Sequence, residues 1–335
     1  MKNGKRQKIV VILGATASGK TGTALNLCRI YNGCIISADS RQVYRYMDIG
    51  TGKVSSQQEL VELQYQREEL LKKGVKNPYK YRIVLQGVDN YMIDFRDPKD
   101  MYNVALYQKE VYRCIFEISR YTKQSQNLFL VGGTGQYIDA IVENWQFPEG
   151  EPSPQIRTAL MDRFLQQGIE SLWEELLKRD PDSSFFVQRQ NPRRVIRALE
   201  YVMSTGKKFS KERKKGKRPF EVLKIGIQLP REELYKKIDT RVDDRLSFGM
   251  IEEVEALQRE HGLSWERLRN FGLEYRVIAD YLCGIISSKK DMSQRLQWDI
   301  HSFARRQLSW FRKDKHIQWV TTIEEAKRLI EQFFK

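Results

Sequence analysis

The sequence predicts an α/β fold in which a parallel sheet core flanked by helices carries a helical insertion. Three observations support this. The apolar run Ile9-Val10-Val11-Ile12-Leu13 leads into a glycine-flanked loop and then into a helical stretch. Two later apolar runs of strand length, residues 34–40 and 128–131, end on polar or glycine-rich residues, as strands do where an open sheet presents a ligand. From about 145 to 210 no strand candidate occurs, and Pro148, Pro152 and Pro154 break the chain where that stretch begins. The expected division is 1–144 for the first part of the core, 145–210 for the insertion and 211–335 for the rest of the core.

The loop after the first strand is Gly14-Ala15-Thr16-Ala17-Ser18-Gly19-Lys20-Thr21. Strand, glycine-flanked turn, Lys-Thr and helix is the order a phosphate loop requires, so the core is expected to be P-loop NTPase-like. Backbone N–H groups of such a turn surround a phosphate, and the helix N-terminus adds positive potential. Lys20 supplies a mobile cation and the Thr21 hydroxyl can ligate Mg²⁺. The second strand closes on Asp39, which belongs on the same rim. The polar, glycine-punctuated segment 41–53 then suits a loop lining a site.

Residues 55–74 read as a charged helical excursion on the surface, 79–94 as an aromatic stretch without a clear element, and 104–120 as a helix. The third strand, 128–131, is closed by Gly132-Gly133-Thr134-Gly135, which again brings N–H groups and a hydroxyl to the rim. Strand signals resume at 223–229 and 317–320. The basic run 207–218 reads as a mobile or polyanion-facing linker.

Composition narrows the partners. The 335 residues include 58 Lys and Arg against 43 Asp and Glu, a net charge of +15, and the excess points to a polyanion. Four scattered cysteines form no C-x-x-C pair, which suggests a reducing, cytoplasmic setting and no thiolate metal site. The basic, apolar N-terminus runs straight into the phosphate loop and is not read as a targeting signal. No run of about eighteen apolar residues is present, so no membrane span is expected.

Two helices carry the remaining chemistry. Asn191 and Pro192 open one as N-cap and first residue. Val195, Ile196, Leu199, Val202 and Met203 share one face, while Arg193, Arg194, Arg197 and Tyr201 share the other, a pattern suited to RNA phosphates and stacking. The second helix spans 232–257, interrupted near Gly249, with a stripe of Leu234, Ile238, Val242 and Leu246. Arg241 and Arg245 lie beside that stripe, where they can snorkel to solvent or reach a bound phosphate. The acid at 39 can hold Mg²⁺, order water or act as a general base, and spacing alone does not separate these roles.

Taken together, these segments resemble the tRNA dimethylallyltransferase, or tRNA isopentenyltransferase, family. The likeness runs through G-A-T-A-S-G-K-T at 14–21, A-D-S-R-Q-V-Y-R-Y-M-D-I-G-T-G-K at 38–53 and L-V-G-G-T-G-Q-Y at 130–137. It continues through N-P-R-R-V-I-R-A-L-E at 191–200, T-G-K at 205–207, R-E-E-L-Y-K-K-I-D-T-R-V-D at 231–243, F-G-L-E-Y at 271–275 and A-R-R-Q-L-S-W-F-R at 304–312. The resemblance implies transfer of a dimethylallyl group from its diphosphate to N6 of adenosine 37, beside the anticodon of certain tRNAs. Residues 14–21 would then cradle the leaving diphosphate, with Lys20 and Thr21-bound Mg²⁺ stabilising it. Asp39 would take the adenine proton, Thr134 would sit near the reacting centre, and Arg241 would reach the leaving group. Contact with the anticodon stem-loop is implied for Asp39, Ser40, Arg41, Gln42, Thr134, Arg157, Arg193, Arg194, Val195, Ile196 and Arg197. A monomer is expected. The sequence departs from the family pattern at Asn90-Tyr91, in the length of 54–90 and at Gly272-Leu273. The rival readings are a prenyltransferase for free adenine nucleotides, an ATP-dependent small-molecule kinase and a nucleotide-gated RNA-binding module. A mononucleotide would need no arginine stripe.

Overall fold

The computed structural model describes residues 6–75, 77, 81–121, 126–147, 153–212 and 214–335. In chain order the elements are β1 (Gln7–Gly14), α1 (Lys20–Ile30), β2 (Gly33–Ser37), α2 (Gln57–Lys72), β3 (Ile83–Leu85), β4 (Val88–Tyr91), α3 (Val104–Tyr121), β5 (Asn127–Gly132) and α4 (Gly135–Val142). Then come β6 (Trp145–Gln146), α5 (Pro154–Arg179), α6 (Pro192–Thr205), β7 (Lys214–Lys215) and β8 (Phe220–Ile227). The chain ends with α7 (Arg231–Ser247), α8 (Met250–Arg259), α9 (Trp265–Phe271), α10 (Leu273–Leu282), α11 (Lys289–Phe311), β9 (Ile317–Val320) and α12 (Ile323–Phe334). Two compact units result: Met1–Val142 with Pro219–Lys335, and Glu143–Arg218. The expected insertion, 145–210, falls within the second.

The first unit is built on a seven-stranded sheet of order β3-β4-β2-β5-β1-β8-β9. Alternation along β1 explains why both faces are covered. Ile9, Val11 and Leu13 join one apolar cluster with Ile36, Leu128 and Leu130. Val10 and Ile12 join another with Ile35, Phe129, Val131 and residues of α1 and α12. Strands buried on both sides read as unbroken apolar runs, which is the pattern at 9–13. Each such side chain adds about 1.5–3 kcal/mol through burial.

Three expectations about this unit need correction. The sheet is mixed, because β3 pairs antiparallel with β4 at one edge. This hairpin occupies the stretch left unassigned at 79–94, although Tyr79 lies outside the described residues. The second strand stops at Ser37, so Asp39 stands two residues past its end on a turn. The helix expected at 55–74 exists as α2, but it is not confined to the surface: Leu63 and Arg67 are buried.

In the second unit Leu160, Leu172 and Leu176 of α5 pack with Val195, Ile196, Leu199 and Val202 of α6. Ser153 caps α5 with Pro154 inside its first turn, and Gly168 (φ 75°, ψ −174°) kinks it. Pro148 and Pro152 lie outside the described residues. The unit is not free of strand: β6 pairs antiparallel with β7, inside the basic run read as a linker.

Candidate active site

The sheet order places β1 between β5 and β8. The chain leaves β1 toward β2 on one side and reaches β8 on the other, so the C-terminal ends of β1 and β5 flank a topological switch point. The loop from Gly14 to Thr21 follows β1. Ala17 (φ 61°) and Gly19 (φ 87°) are left-handed, which turns successive N–H groups toward one centre. Lys20 opens α1, and its Nζ lies 3.3 Å from the Ala15 carbonyl oxygen.

The neighbouring rim is closed by hydrogen bonds between the ends of β2 and β5. The Thr134 amide donates to the Ala38 carbonyl at 3.2 Å, and the Ser40 amide donates to Thr134 Oγ1 at 3.1 Å. Asp39 Oδ1 accepts from the Arg41 and Gln42 amides at 2.9 and 3.4 Å, which fixes the carboxylate on a tight turn. A Cβ on Gly132 would stand 2.1 Å from the Ala38 carbonyl oxygen, so only glycine allows this approach.

These residues line a cleft of about 280 Å³. Lys20, Thr21, Asp39, Thr134 and Arg241 give it polar groups, and Leu273, Ile300 and Phe303 give it an apolar surface. Leu273 starts α10 with φ 41°, a strained conformation for a branched side chain. The cleft thus offers phosphate-binding amides and cations beside room for an apolar group.

Its charges are out of balance. Burial, then Arg241, and more weakly Arg245, lower the Lys20 ammonium to about 8, with Asp39 acting against them. Burial and Arg245 push Arg241 down as well, although a guanidinium keeps its charge. Arg241 makes no hydrogen bond among the described residues. Several donors and a charge are therefore left for an incoming anion.

The remaining predicted residues divide. Ser40, Arg41 and Gln42 line the cleft. Arg41 Nη1 is 3.2 Å from Glu274 Oε2. The Gln42 side chain is fully engaged with protein: its Nε2 donates to the Thr51 and Gly52 carbonyls and its Oε1 accepts from Ser37 Oγ. Arg157, Arg193, Arg194 and Arg197 belong to the second unit, as do Val195 and Ile196. The last two are buried in that unit's core, so their side chains cannot meet RNA. Tyr201, expected on the outer face, is buried too, packed edge-on to Phe209 at 5.8 Å. The arginine face has an acid beside it: buried Glu200 takes Arg157 at 3.1 Å and Arg197 at 2.9 Å. Arg193 and Arg194 are exposed.

Gln307 was missed from sequence. Its Oε1 accepts from the Thr16 amide at 2.8 Å and its Nε2 donates to the Gly133 carbonyl at 2.9 Å, so one amide ties the phosphate loop to the β5 loop. The available signal was its place on the buried face of α11 with Ile300, Ala304 and Phe311. Among the described residues no group of three or more His, Cys, Asp and Glu side chains is placed to hold a metal. No helix among them is long and apolar enough to cross a membrane.

A family model described as IPP transferase matches residues 80–314, and one described as Isopentenyl transferase matches 7–94. The chain is 35% identical to the tRNA dimethylallyltransferase of Thermomicrobium roseum, over 94% of this chain and 86% of that protein. It is 36% identical to that of Roseiflexus castenholzii, over 97% and 95%. Among solved structures it is similar to the tRNA isopentenylpyrophosphate transferase of Bacillus halodurans, with TM-score 0.63, 30% identity and coverage of 98% and 95%. A eukaryotic dimethylallyltransferase acting on tRNA shares the fold, with TM-score 0.71, 22% identity and coverage of 97% and 77%.

Proposed function

We propose the activity from one premise: the chain belongs to the IPP transferase family. On that premise it transfers a dimethylallyl group from dimethylallyl diphosphate to tRNA, at N6 of adenosine 37 in the anticodon stem-loop, giving N6-isopentenyladenosine. The observation that carries this reading is the excess of positive charge in the cleft. Lys20 of the phosphate loop and Arg241 line the same cleft, and the Arg241 guanidinium has no hydrogen-bond partner among the described residues.

In the reaction the allylic C–O bond breaks and its electron pair leaves on the diphosphate. The loop amides, Lys20 and Arg241 stabilise the charge that develops there. The N6 lone pair forms the new C–N bond, and Asp39 Oδ2 takes the proton that N6 loses. Thr134 fixes the approach to Asp39 through the Ser40 amide. Leu273, Ile300 and Phe303 offer apolar surface to the five-carbon tail. The adenine must leave its stack to enter, as in other enzymes that act on a base.

Mg²⁺ fits at Thr21. That hydroxyl lines the cleft and has no hydrogen-bond partner among the described residues. A cation that takes few protein oxygens and several from phosphate and water suits such a donor set, and would neutralise diphosphate charge. Exposed Arg193 and Arg194, the Arg157 and Arg197 pair around Glu200, and the +15 net charge favour tRNA over a free nucleotide as acceptor.

The test is incubation with dimethylallyl diphosphate, Mg²⁺ and unmodified tRNA, followed by digestion to nucleosides. Prenylated adenosine in the tRNA is the expected product. Prenylation of free adenine nucleotides alone, or phosphate transfer from ATP with no prenylated tRNA, overturns the reading.

A further inference from the structure

The loop 48–52 is fastened from two sides. On one side α2 sends Arg67 inward, where Nη2 lies 2.6 and 2.7 Å from the two Asp48 carboxylate oxygens and Nε lies 2.8 Å from Asp94 Oδ2. Lys53 Nζ completes the group, 2.9 Å from Asp48 Oδ1 and 2.6 Å from Asp94 Oδ1. Two cations and two carboxylates, all buried, thus balance one another. Burial alone would raise the Asp48 carboxyl; Lys53 and Arg67 overcome this and hold it below its usual value.

On the other side stands Glu253 of α8. Its Oε2 accepts from the Asp48 and Ile49 amides at 2.7 and 2.6 Å, and its Oε1 from the Gly50 amide at 3.1 Å and the Tyr275 hydroxyl at 2.8 Å. Three successive backbone N–H groups on one carboxylate form an anion nest, here filled by the protein's own side chain. Glu253 is not among the residues that line the cleft.

The fastened loop holds Arg245 and Gln42. The Gly50 carbonyl accepts from Arg245 Nη1 at 3.0 Å, and the Thr51 and Gly52 carbonyls accept from Gln42 Nε2 at 3.2 and 3.3 Å. Gln42 in turn gives its amide to Asp39 Oδ1. Gly52 (φ 69°) lies so close that a Cβ there would be 2.0 Å from Arg245 Nη2 and 3.5 Å from Arg241 Nη2. One short loop therefore touches Gln42, on the turn that bears the base, and Arg245, and it runs beside Arg241, which lines the cleft.

We propose that Glu253 is a positioning residue for the transfer, acting through the 48–52 loop and Gln42 on Asp39, while the same loop holds Arg245 in place. The proposal rests on the function given above. A carboxylate is required because a glutamine at 253 would turn an N–H₂ group toward N–H donors and leave buried groups unpaired. Misplacing reacting groups by about 1 Å can slow a reaction about 100-fold.

A double-mutant cycle on the full chain tests it. Glu253→Gln and Gln42→Ala are made singly and together, with single-turnover transfer measured at saturating dimethylallyl diphosphate and tRNA. Glu253→Gln is expected to slow transfer about 10- to 100-fold, and Glu253→Asp to recover part of the loss. The double variant is expected within about threefold of Glu253→Gln, because both changes release the same loop. Losses that multiply, or an unchanged rate in Glu253→Gln, overturn the proposal. If Glu253→Gln melts early, Tyr275→Phe replaces it in the cycle with the same expectation of coupling. Wild-type transfer to tRNA is a separate arm whose failure refutes the proposed function. In that event the affinity for magnesium diphosphate reads the cycle with Arg245→Lys: coupling supports positioning and additivity overturns it.

Discussion

The proton balance of Lys20 reports the charge of the cleft directly. Without ligand its ammonium is lowered from 10.5 to about 8, chiefly by burial and by Arg241. A bound diphosphate brings negative charge to Nζ and favours the ammonium, so the Lys20 pKa must rise on binding. The sign follows: affinity is full below the ligand-free value and falls as pH climbs through 8. At pH 8 about half a proton should be taken up per diphosphate bound, with affinity about twofold below its low-pH limit and about tenfold below it one unit higher. Folding shows the reverse dependence. The folded pKa lies below the unfolded one, so ligand-free stability should rise between 8 and 10.5, by at most about 3 kcal/mol. The assay is calorimetric titration with a non-transferring dimethylallyl thiolodiphosphate in two buffers of different ionisation heat. Lys20→Arg keeps the cation but does not titrate, so its uptake should be smaller by that half proton. Equal uptake in the two proteins, or a wild-type affinity that stays flat through pH 8, would refute the argument.

Asp39→Asn keeps the Oδ1 acceptor for the Arg41 and Gln42 amides and removes the base. Transfer should fall by about 10²–10⁴-fold with tRNA affinity nearly unchanged; a matching loss of binding would show that Asp39 acts only through its turn. Arg194→Ala should weaken all tRNAs alike and reduce the slope of log affinity against log salt by about 1. Arg197→Ala should do less, because Arg197 is engaged with Glu200, and identical slopes in wild type and Arg194→Ala would return that arginine to ordinary solvated surface. Lys53→Met leaves Arg67 facing two buried carboxylates and should lower stability to urea by about 3–5 kcal/mol; a change within about 0.5 kcal/mol would mean the quartet contributes little.

Local patterns carried most of the fold into the sequence. The runs at 9–13 and 128–131 are buried on both faces, which leaves them uniformly apolar, and each ends at the rim in glycines whose backbone must approach a neighbour. The edge hairpin β3-β4 gave a weaker signal. Its strands are three and four residues long, too short to show a period, and Asn90 and Tyr91 are buried beside polar neighbours. The outer face of α6 was misread for a different reason. Helical periodicity tells which residues align but not how many sides are covered, and Phe209 covers the side that bears Tyr201.

The supports of the site were the least legible, and the reason is physical. A phosphate loop is written in consecutive residues because consecutive amides must converge. The loop 48–52 is instead held by Arg67, Asp94, Glu253 and Tyr275, which meet only after the sheet and the helices pack. Of these, Arg67, Glu253 and Tyr275 stand on helices and Asp94 on the bend after β4, and the helical ones leave one mark in the sequence: a charged or polar residue on an otherwise apolar face. Arg67 stands in the row of Leu60, Leu63 and Leu70, and Gln307 in that of Ile300, Ala304 and Phe311. Burying such a group without partners would cost several kcal/mol, so its presence there requires a partner elsewhere in the chain. That argument could have flagged Arg67 and Gln307 before any coordinates. It could not have named Asp48, Asp94, Thr16 or Gly133 as what they hold, because those pairings are set by which strand ends the sheet order brings together.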